Sequence, residues 1–390
     1  MRHHVLPLLL LLTACTSAVR REFDATLADA TAPPPLLEPN WQPDASLRIA
    51  PTVVESALTA ALSAADLSTS LSALGVTLQP RLGVERLRLT DADASCPSCV
   101  RLGGTLAGVV GYSALGYSGS TGVRVTLVID TALEARREPD GWSIYARAPE
   151  LKKIRTEIPL VNTRIADLLI SPIAGWISGA VADSIQPIRV ARLGEIEAPL
   201  QAITVAVRDQ IVEVRARTNS LWRDGVAPAP DPGTGWTARI SLGSVVEAAR
   251  RASFEAGSVG FGVWAEPRRL QFEDDTFTLD LRIWRVSGFG WWRDYRIEGR
   301  TSWVDQNLVL TADQATEVAQ STGAGLVDPI AALLESRVLK VMAAAVSTSL
   351  PSSRTEDVGG VRVTWGLTKL ESVGGDLMVY GTASFDAVSP

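Results

Sequence analysis

The chain has 390 residues, long enough for two ordinary domains. With 46% hydrophobic and 21% charged residues it has the composition of a globular protein rather than a disordered one. A formal charge of −6, without a dense run of Lys and Arg, argues against a nucleic-acid partner.

At the N-terminus Arg2 supplies a positive charge ahead of the apolar run Val5 to Leu12. That run is too short to span a bilayer, which takes about 20 apolar residues. It ends in Leu12-Thr13-Ala14-Cys15, which resembles the lipobox of bacterial lipoproteins. The resemblance implies cleavage before Cys15 and attachment of lipid to its sulfur. The alternative is an ordinary secretory signal with a chance cysteine. Thr16, where an Asp would favour inner-membrane retention in such proteins, points to the outer membrane, with the body facing the periplasm. Cleavage would also remove His3 and His4, the chain's two histidines. A mature chain without histidine has no Ser-His-Asp or Cys-His catalysis and lacks the usual zinc and iron ligands. No P-loop is present, and neither an enzyme nor a cofactor or metal is expected. The carboxylate pairs Asp274–Asp275 and Glu195–Glu197 read as turn and edge residues rather than acid–base machinery.

Residues 15–45, with Pro33, Pro34, Pro35, Pro39 and Pro43, read as the lipid anchor and a Pro-rich tether following the signal peptide of residues 1–14. The first folded half is expected over 46–222. In it Ile49, Val53, Ala57 and Ala61 fall on one helical face. Cys96-Pro97-Ser98-Cys99 lacks the helix-opening context of a redox CxxC, and two thiolates alone do not complete a zinc site. A local disulfide between Cys96 and Cys99 in an oxidising compartment is the plainer reading. The Gly-rich stretch 103–122 reads as a strand pair. Val123, Val125, Leu127 and Ile129 alternate with Arg124, Thr126 and Asp130, the pattern of a half-exposed antiparallel strand. Ile165, Leu169, Ile173, Trp176, Ile177 and Val181 fall at helical spacing. Strands are expected near 188–193, 201–207 and 210–217.

Gly225 to Gly235, rich in Pro and Gly, marks a linker placed over 223–238. The second half, 239–390, repeats the order of the first. Its opening Arg239-Ile240…Val245-Val246-Glu247 answers Arg48-Ile49…Val53-Val54-Glu55, and Asp328-Pro329-Ile330-Ala331 answers Ser171-Pro172-Ile173-Ala174. A helix over 241–256 precedes a strand in which Phe277, Leu279, Leu281 and Ile283 alternate with polar residues. Ser287 to Tyr295 sets Phe289, Trp291 and Trp292 among glycines. It is either an exposed tip that dips into a membrane or grips a partner, or a hairpin folding its Trp residues onto the sheet. A helix from Pro329 to about Leu350 carries Val338 and Met342, and strands near 361–370 and 377–385 close the chain.

The fold expected is α+β: a tandem pseudo-repeat of curved antiparallel sheets, each wrapped on long amphipathic helices. That order, with the paired Arg-Ile…Val-Val-Glu and Pro-Ile-Ala segments, resembles the tubular lipid-binding (TULIP) superfamily, which includes the bactericidal/permeability-increasing protein. The disulfide conserved in animal members has no counterpart, because Cys96 and Cys99 sit too close together. The resemblance implies a protein that binds or transfers lipid or another hydrophobic ligand. The groove would be lined by Val125, Leu127, Ile129, Ile165, Leu169, Ile173, Trp176 and Ile177 in the first half. In the second the lining would be Phe277, Leu279, Leu281, Ile283, Val338 and Met342. The alternatives are that these residues are simply core, and that the chain is a non-enzymatic scaffold binding a protein partner.

Overall fold

The structure, a computed structural model, describes residues 5–33, 36–64, 71–73, 76–90, 96–114, 117–138, 141–146, 150–157, 189–194, 200–220, 225–259, 262–288, 290–304, 307–321, 349–351, 353–358 and 361–387. Most of them are strand, gathered into three antiparallel sheets. This corrects the α+β expectation: the fold is mainly β. The described helices are α1 (Val5–Ala30), α2 (Pro51–Ala64) and α3 (Leu242–Ala256). None of them is long and apolar enough to cross a membrane. The physical reason for the difference is the reach of the period-two pattern. Alternation persists through strands of 14 to 22 residues, such as Trp291–Val304 and Tyr117–Glu138, where short strands between long helices were expected. The helices expected around 165–181 and 329–350 lie outside the described residues.

The central sheet joins the two halves. Strands β1 (Ala45–Ile49), β9 (Leu200–Arg208) and β10 (Ile211–Thr218) come from the first half, and β11 (Trp236–Ser241), β17 (Ser353–Val358), β18 (Val361–Val373) and β19 (Asp376–Ala387) from the second. Their order is β17-β18-β19-β11-β1-β10-β9. The two opening strands pair antiparallel, with Leu47 opposite Ala238 at the midpoint, Ala45 opposite Ile240 and Ile49 opposite Trp236. Exchanging the two segments leaves this register unchanged. Turns at matching places connect the outer strands: Asp209–Gln210 before β10 and Gly374–Gly375 before β19, all at positive φ. Such φ values make the primed turns that suit the twist of a tight hairpin. At Gly381 a side chain is excluded, since a Cβ would lie 2.2 Å from the Trp236 ring.

In the first half β2 (Leu71–Ala73), β3 (Val76–Thr90), β4 (Cys99–Ala114) and β5 (Tyr117–Glu138) form successive hairpins. Strand β5 carries β7 (Glu150–Glu157) on its other edge and passes its last residues to β6 (Gly141–Ala146), which pairs with β8 (Arg189–Gly194). The Gly-rich stretch is the β4–β5 hairpin. Cys96 and Cys99 are bonded to each other just before β4. Their loop gives the Pro97 carbonyl to the Val207 amide at 2.7 Å and the Ser98 carbonyl to the Leu133 amide at 2.9 Å. It thereby braces β9, an edge of the central sheet, against β5. Helix α2, with Pro51 at its first position, lays Val53, Val54 and Leu58 onto a core shared with β3, β4, β5, β9 and β10.

In the second half β12 (Val263–Glu273), β13 (Thr276–Arg285), β14 (Trp291–Val304), β15 (Asn307–Gln320) and β16 (Ser349–Pro351) make a five-stranded meander. Helix α3 starts at Ser241, whose hydroxyl accepts from the Ser244 amide, and ends at Gly257 with φ 85°. It packs on β12. The stretch read as a linker lies along β1: Val226 and Ala229 are buried, and the Ala229 carbonyl accepts from Arg48.

The stretch read as a tether holds the least expected element. Val19, Phe23, Leu27 and Ala30 of α1 form one stripe, and Val19, Phe23 and Ala30 are buried with Phe254 and Trp284. Residues 18–30 are therefore packed rather than extended. The Pro residues begin only at Pro33, so the count that pointed to a tether describes the part after the helix.

Candidate functional site

The expected lining residues fall into three groups. Val125, Leu127 and Ile129 are at most 2% exposed within the first core. Phe277, Leu279, Leu281 and Ile283 are buried in the second. All seven are buried among apolar side chains; those around Phe277–Ile283 belong to the same sheet, β12 to β15, and the segments 158–188 and 322–348 lie outside the described residues. Ile165, Leu169, Ile173, Trp176, Ile177, Val338 and Met342 lie outside the described residues. So does Phe289. Trp291 is not at an exposed tip: it opens β14 opposite Arg285 and is 1% exposed. Trp292, half-buried, faces α1 and donates its indole N–H to Glu22 at 3.1 Å. Cys15 is on α1.

Among the described residues, clefts open where each half's first helix meets its first long strand and the central sheet. In the second half α3, the β12 strand and the β18–β19 turn enclose a cleft of about 760 Å³. Its size is that of small-ligand sites, roughly 300–1,000 Å³. Leu242, Val246, Pro267 and Leu270 give it apolar walls. Pro267 sits on β12, an edge strand, where a missing N–H costs no ladder bond. A bulge follows at once: Pro267 faces Leu281 and Arg269 faces Asp280, leaving Arg268 unopposed. The bulge turns the strand and brings Arg268 and Arg269, both exposed, to the cleft rim.

The acids of this cleft are already engaged. Glu266 lies 3.0 Å from Arg250 Nε and accepts from the Trp284 indole at 2.8 Å. Asp29 takes Arg250 Nη1 at 2.9 Å, and Glu247 accepts from Ser220 at 2.8 Å. Arg268 reaches Asp294 at 3.4 Å, and Arg269 has no ion pair among the described residues. The uncommitted charge at the rim is therefore positive.

The corresponding cleft of the first half, about 600 Å³, differs in chemistry. Thr52, Ser56, Thr59 and Ser63 of α2 line it with Glu55, opposite Leu87 and Phe385. Glu55 accepts from the Leu89 amide at 2.7 Å. A hydroxyl-lined wall is a poor match for an acyl chain, so the second-half cleft is the candidate.

Beside it a clamp holds α1. Arg282 donates to Asp294 at 2.6 and 2.9 Å and to Glu22 at 2.7 Å, with its guanidinium 3.6 Å from the Trp292 ring centre. Burial is the largest single influence and works against its charge, but the Asp294 hydrogen bond together with the negative charges of Asp294, Glu22 and Glu266 outweighs it and raises its pKa. Sequence reasoning missed both the cleft and the clamp. The signals available were Pro267 inside a strand pattern, which marks an edge or bulge, and the Val19–Phe23–Leu27–Ala30 stripe.

No protein-family model matches the chain, and no curated protein sequence does. Solved structures with a likeness in outline exist. The lipopolysaccharide binding protein is 11% identical, with 88% of this chain and 99% of that chain covered and a TM-score of 0.37. P47 of Clostridium botulinum E1 is 10% identical, with coverage of 88% and 99% and a TM-score of 0.38. P47 of Clostridium botulinum A2 is also 10% identical, with coverage of 87% and 97% and a TM-score of 0.36.

Proposed function

We propose that this chain is a bacterial envelope lipoprotein, lipidated at Cys15, that binds an amphipathic lipid without catalysing a reaction. The observation that carries the reading is the second-half cleft, with apolar walls at Leu242, Val246, Pro267 and Leu270 and Arg268 and Arg269 at its rim. Each CH₂ taken from water contributes roughly 0.8 kcal/mol, enough for a partly inserted acyl chain to bind without polar chemistry. An anionic headgroup then meets Arg269, whose guanidinium suits phosphate and carboxylate, with Arg268 beside it. We place the protein at the outer membrane, facing the periplasm, from Thr16 after Cys15.

The test is native mass spectrometry, with organic extraction, of protein purified from a bacterial periplasm with Cys15 replaced. Lipid at defined stoichiometry, lost in Leu270→Arg, is the expected result. Clean apoprotein that takes up no fluorescent phospholipid refutes the reading. One observation favours a second reading, a non-enzymatic scaffold for a protein partner: the inward residues at Val125–Ile129 and Phe277–Ile283 are buried among apolar side chains. Crosslinking to a defined protein by a lipid-free chain would decide for it.

A further inference from the structure

The lipid-anchor reading leaves open how the body sits on the membrane, and α1 answers that. Its docked part begins at Val19, one helical turn, about 6 Å, from Cys15. Val19 lies against Gly290: a Cβ there would be 3.5 Å from its Cγ1. The connection from β13 to β14, described at Val286, Ser287, Gly288 and Gly290, is thus beside the start of the docked helix. Three contacts fix the helix along its length: Glu22 on Arg282 and Trp292, Phe23 among Phe254, Trp264 and Trp284, and Asp29 on Arg250. Asp29 also lines the cleft.

We infer that α1 is a rigid spacer between lipid anchor and cleft. It holds the Ser287–Gly290 end of the five-stranded sheet against the bilayer surface and sets the cleft about 20 Å along the helix from Cys15. The charges agree with that orientation. Arg20, Arg21 and Arg285 lie at the Ser287 end beside Glu22 and Asp24, with Arg20 paired to Asp24 at 3.0 Å, whereas Glu273, Asp274 and Asp275 form the turn at the other end of β13 with Arg300 opposite Thr276, so the first end is the more positive. Ten residues of strand put the two ends roughly 30 Å apart. Anionic lipid headgroups attract the first end and repel the second. The inference rests on lipidation of Cys15 and is independent of what the cleft binds.

The experiment uses the full lipidated chain in vesicles of phosphatidylethanolamine and phosphatidylglycerol carrying a headgroup-attached quencher. Ser287→Cys and Asp275→Cys are each labelled with a fluorophore; the bonded Cys96–Cys99 pair and the acylated Cys15 do not react. Quenching is expected to be several-fold stronger at 287 than at 275. A Gly/Ser insertion of twenty residues between Ser17 and Ala18, reaching about 25 Å, is expected to erase that difference. Equal quenching at both positions of the lipidated protein overturns the orientation alone, as does a difference that survives the insertion. A mass showing unmodified Cys15 overturns the anchor reading and this inference with it.

Discussion

Replacing Phe23 with Ala tests whether α1 belongs to the folded body. Phe23 is 2% exposed, with ring centres of Phe254, Trp264 and Trp284 at 5.9, 5.3 and 5.7 Å. Truncating a buried Phe costs about 3–5 kcal/mol when the surroundings cannot collapse. Here the response is different, because the helix is held to the sheets along one face and can detach from it. Its gross docking term comes from Val19, Phe23, Leu27 and Ala30, about 5–7 kcal/mol by area. The substitution removes the larger part of that docking term. Phe23→Ala should therefore release the helix while leaving the sheets folded. Hydrogen exchange should show residues 19–30 losing protection by two orders of magnitude or so, about 3 kcal/mol in local opening, with β1, β10 and β11 unchanged. Unchanged protection over 19–30 would refute the reasoning. So would a global loss of protection, which would mean the helix is part of one cooperative unit.

Three further outcomes follow from the fold. Asp44 is fully buried at the junction of the halves, accepting from the Thr218 amide at 2.9 Å and the Ser244 hydroxyl at 3.2 Å, with Arg217 at 3.8 Å. Asp44→Ala strands those donors and should cost about 3 kcal/mol in urea unfolding, with an unchanged m-value. Arg101 and Asp130 face each other across β4 and β5 in a bidentate pair at 2.7 and 2.8 Å, and that hydrogen bond lowers the Asp130 pKa from its ordinary 3.8. A depressed carboxylate stabilises the fold above pH 3.8 and loses that contribution as pH falls through the folded value. Asp130→Asn should therefore be less stable at pH 7 by about 0.5–1 kcal/mol, with the gap closing in acid. Replacing Cys96 and Cys99 together with Ser opens a ring of four residues, which the chain-entropy account values at no more than about 2 kcal/mol. The clearer sign should be faster exchange of the Val207 amide, once the Pro97 carbonyl is no longer held in place.

What the sequence made legible follows from how local each signal is. Alternation at Val123–Ile129 and Phe277–Ile283 marked strands that lie within β5 and β13, and helical spacing after Ile49 and Ile240 marked α2 and α3. Those patterns are written in neighbouring residues. Whether an inward face meets a cavity or another wall is not local, and burial of the seven described lining residues among apolar neighbours does not decide it. Of the two readings of the aromatic run at 287–295, the structure shows the hairpin that folds its Trp residues onto the sheet. Glycines suggested a tip, but Trp291, Arg293, Tyr295 and Ile297 alternate inward along β14, and that period was the stronger signal. The tether was judged from its prolines, although an apolar stripe ran through residues 19–30. The cleft depends on a bulge at Arg268 and on β12 being an edge, and both are set by pairing across the sheet.

The central claim is that lipid occupies the cleft between α3 and β12. Phospholipid carrying a photoactivatable group in its acyl chain, crosslinked to the purified protein and mapped by peptide mass spectrometry, tests it directly. Adducts concentrated on residues 242–247 and 266–271, and reduced by Leu270→Arg, are the predicted result. Adducts scattered over the surface, or none, would contradict the account.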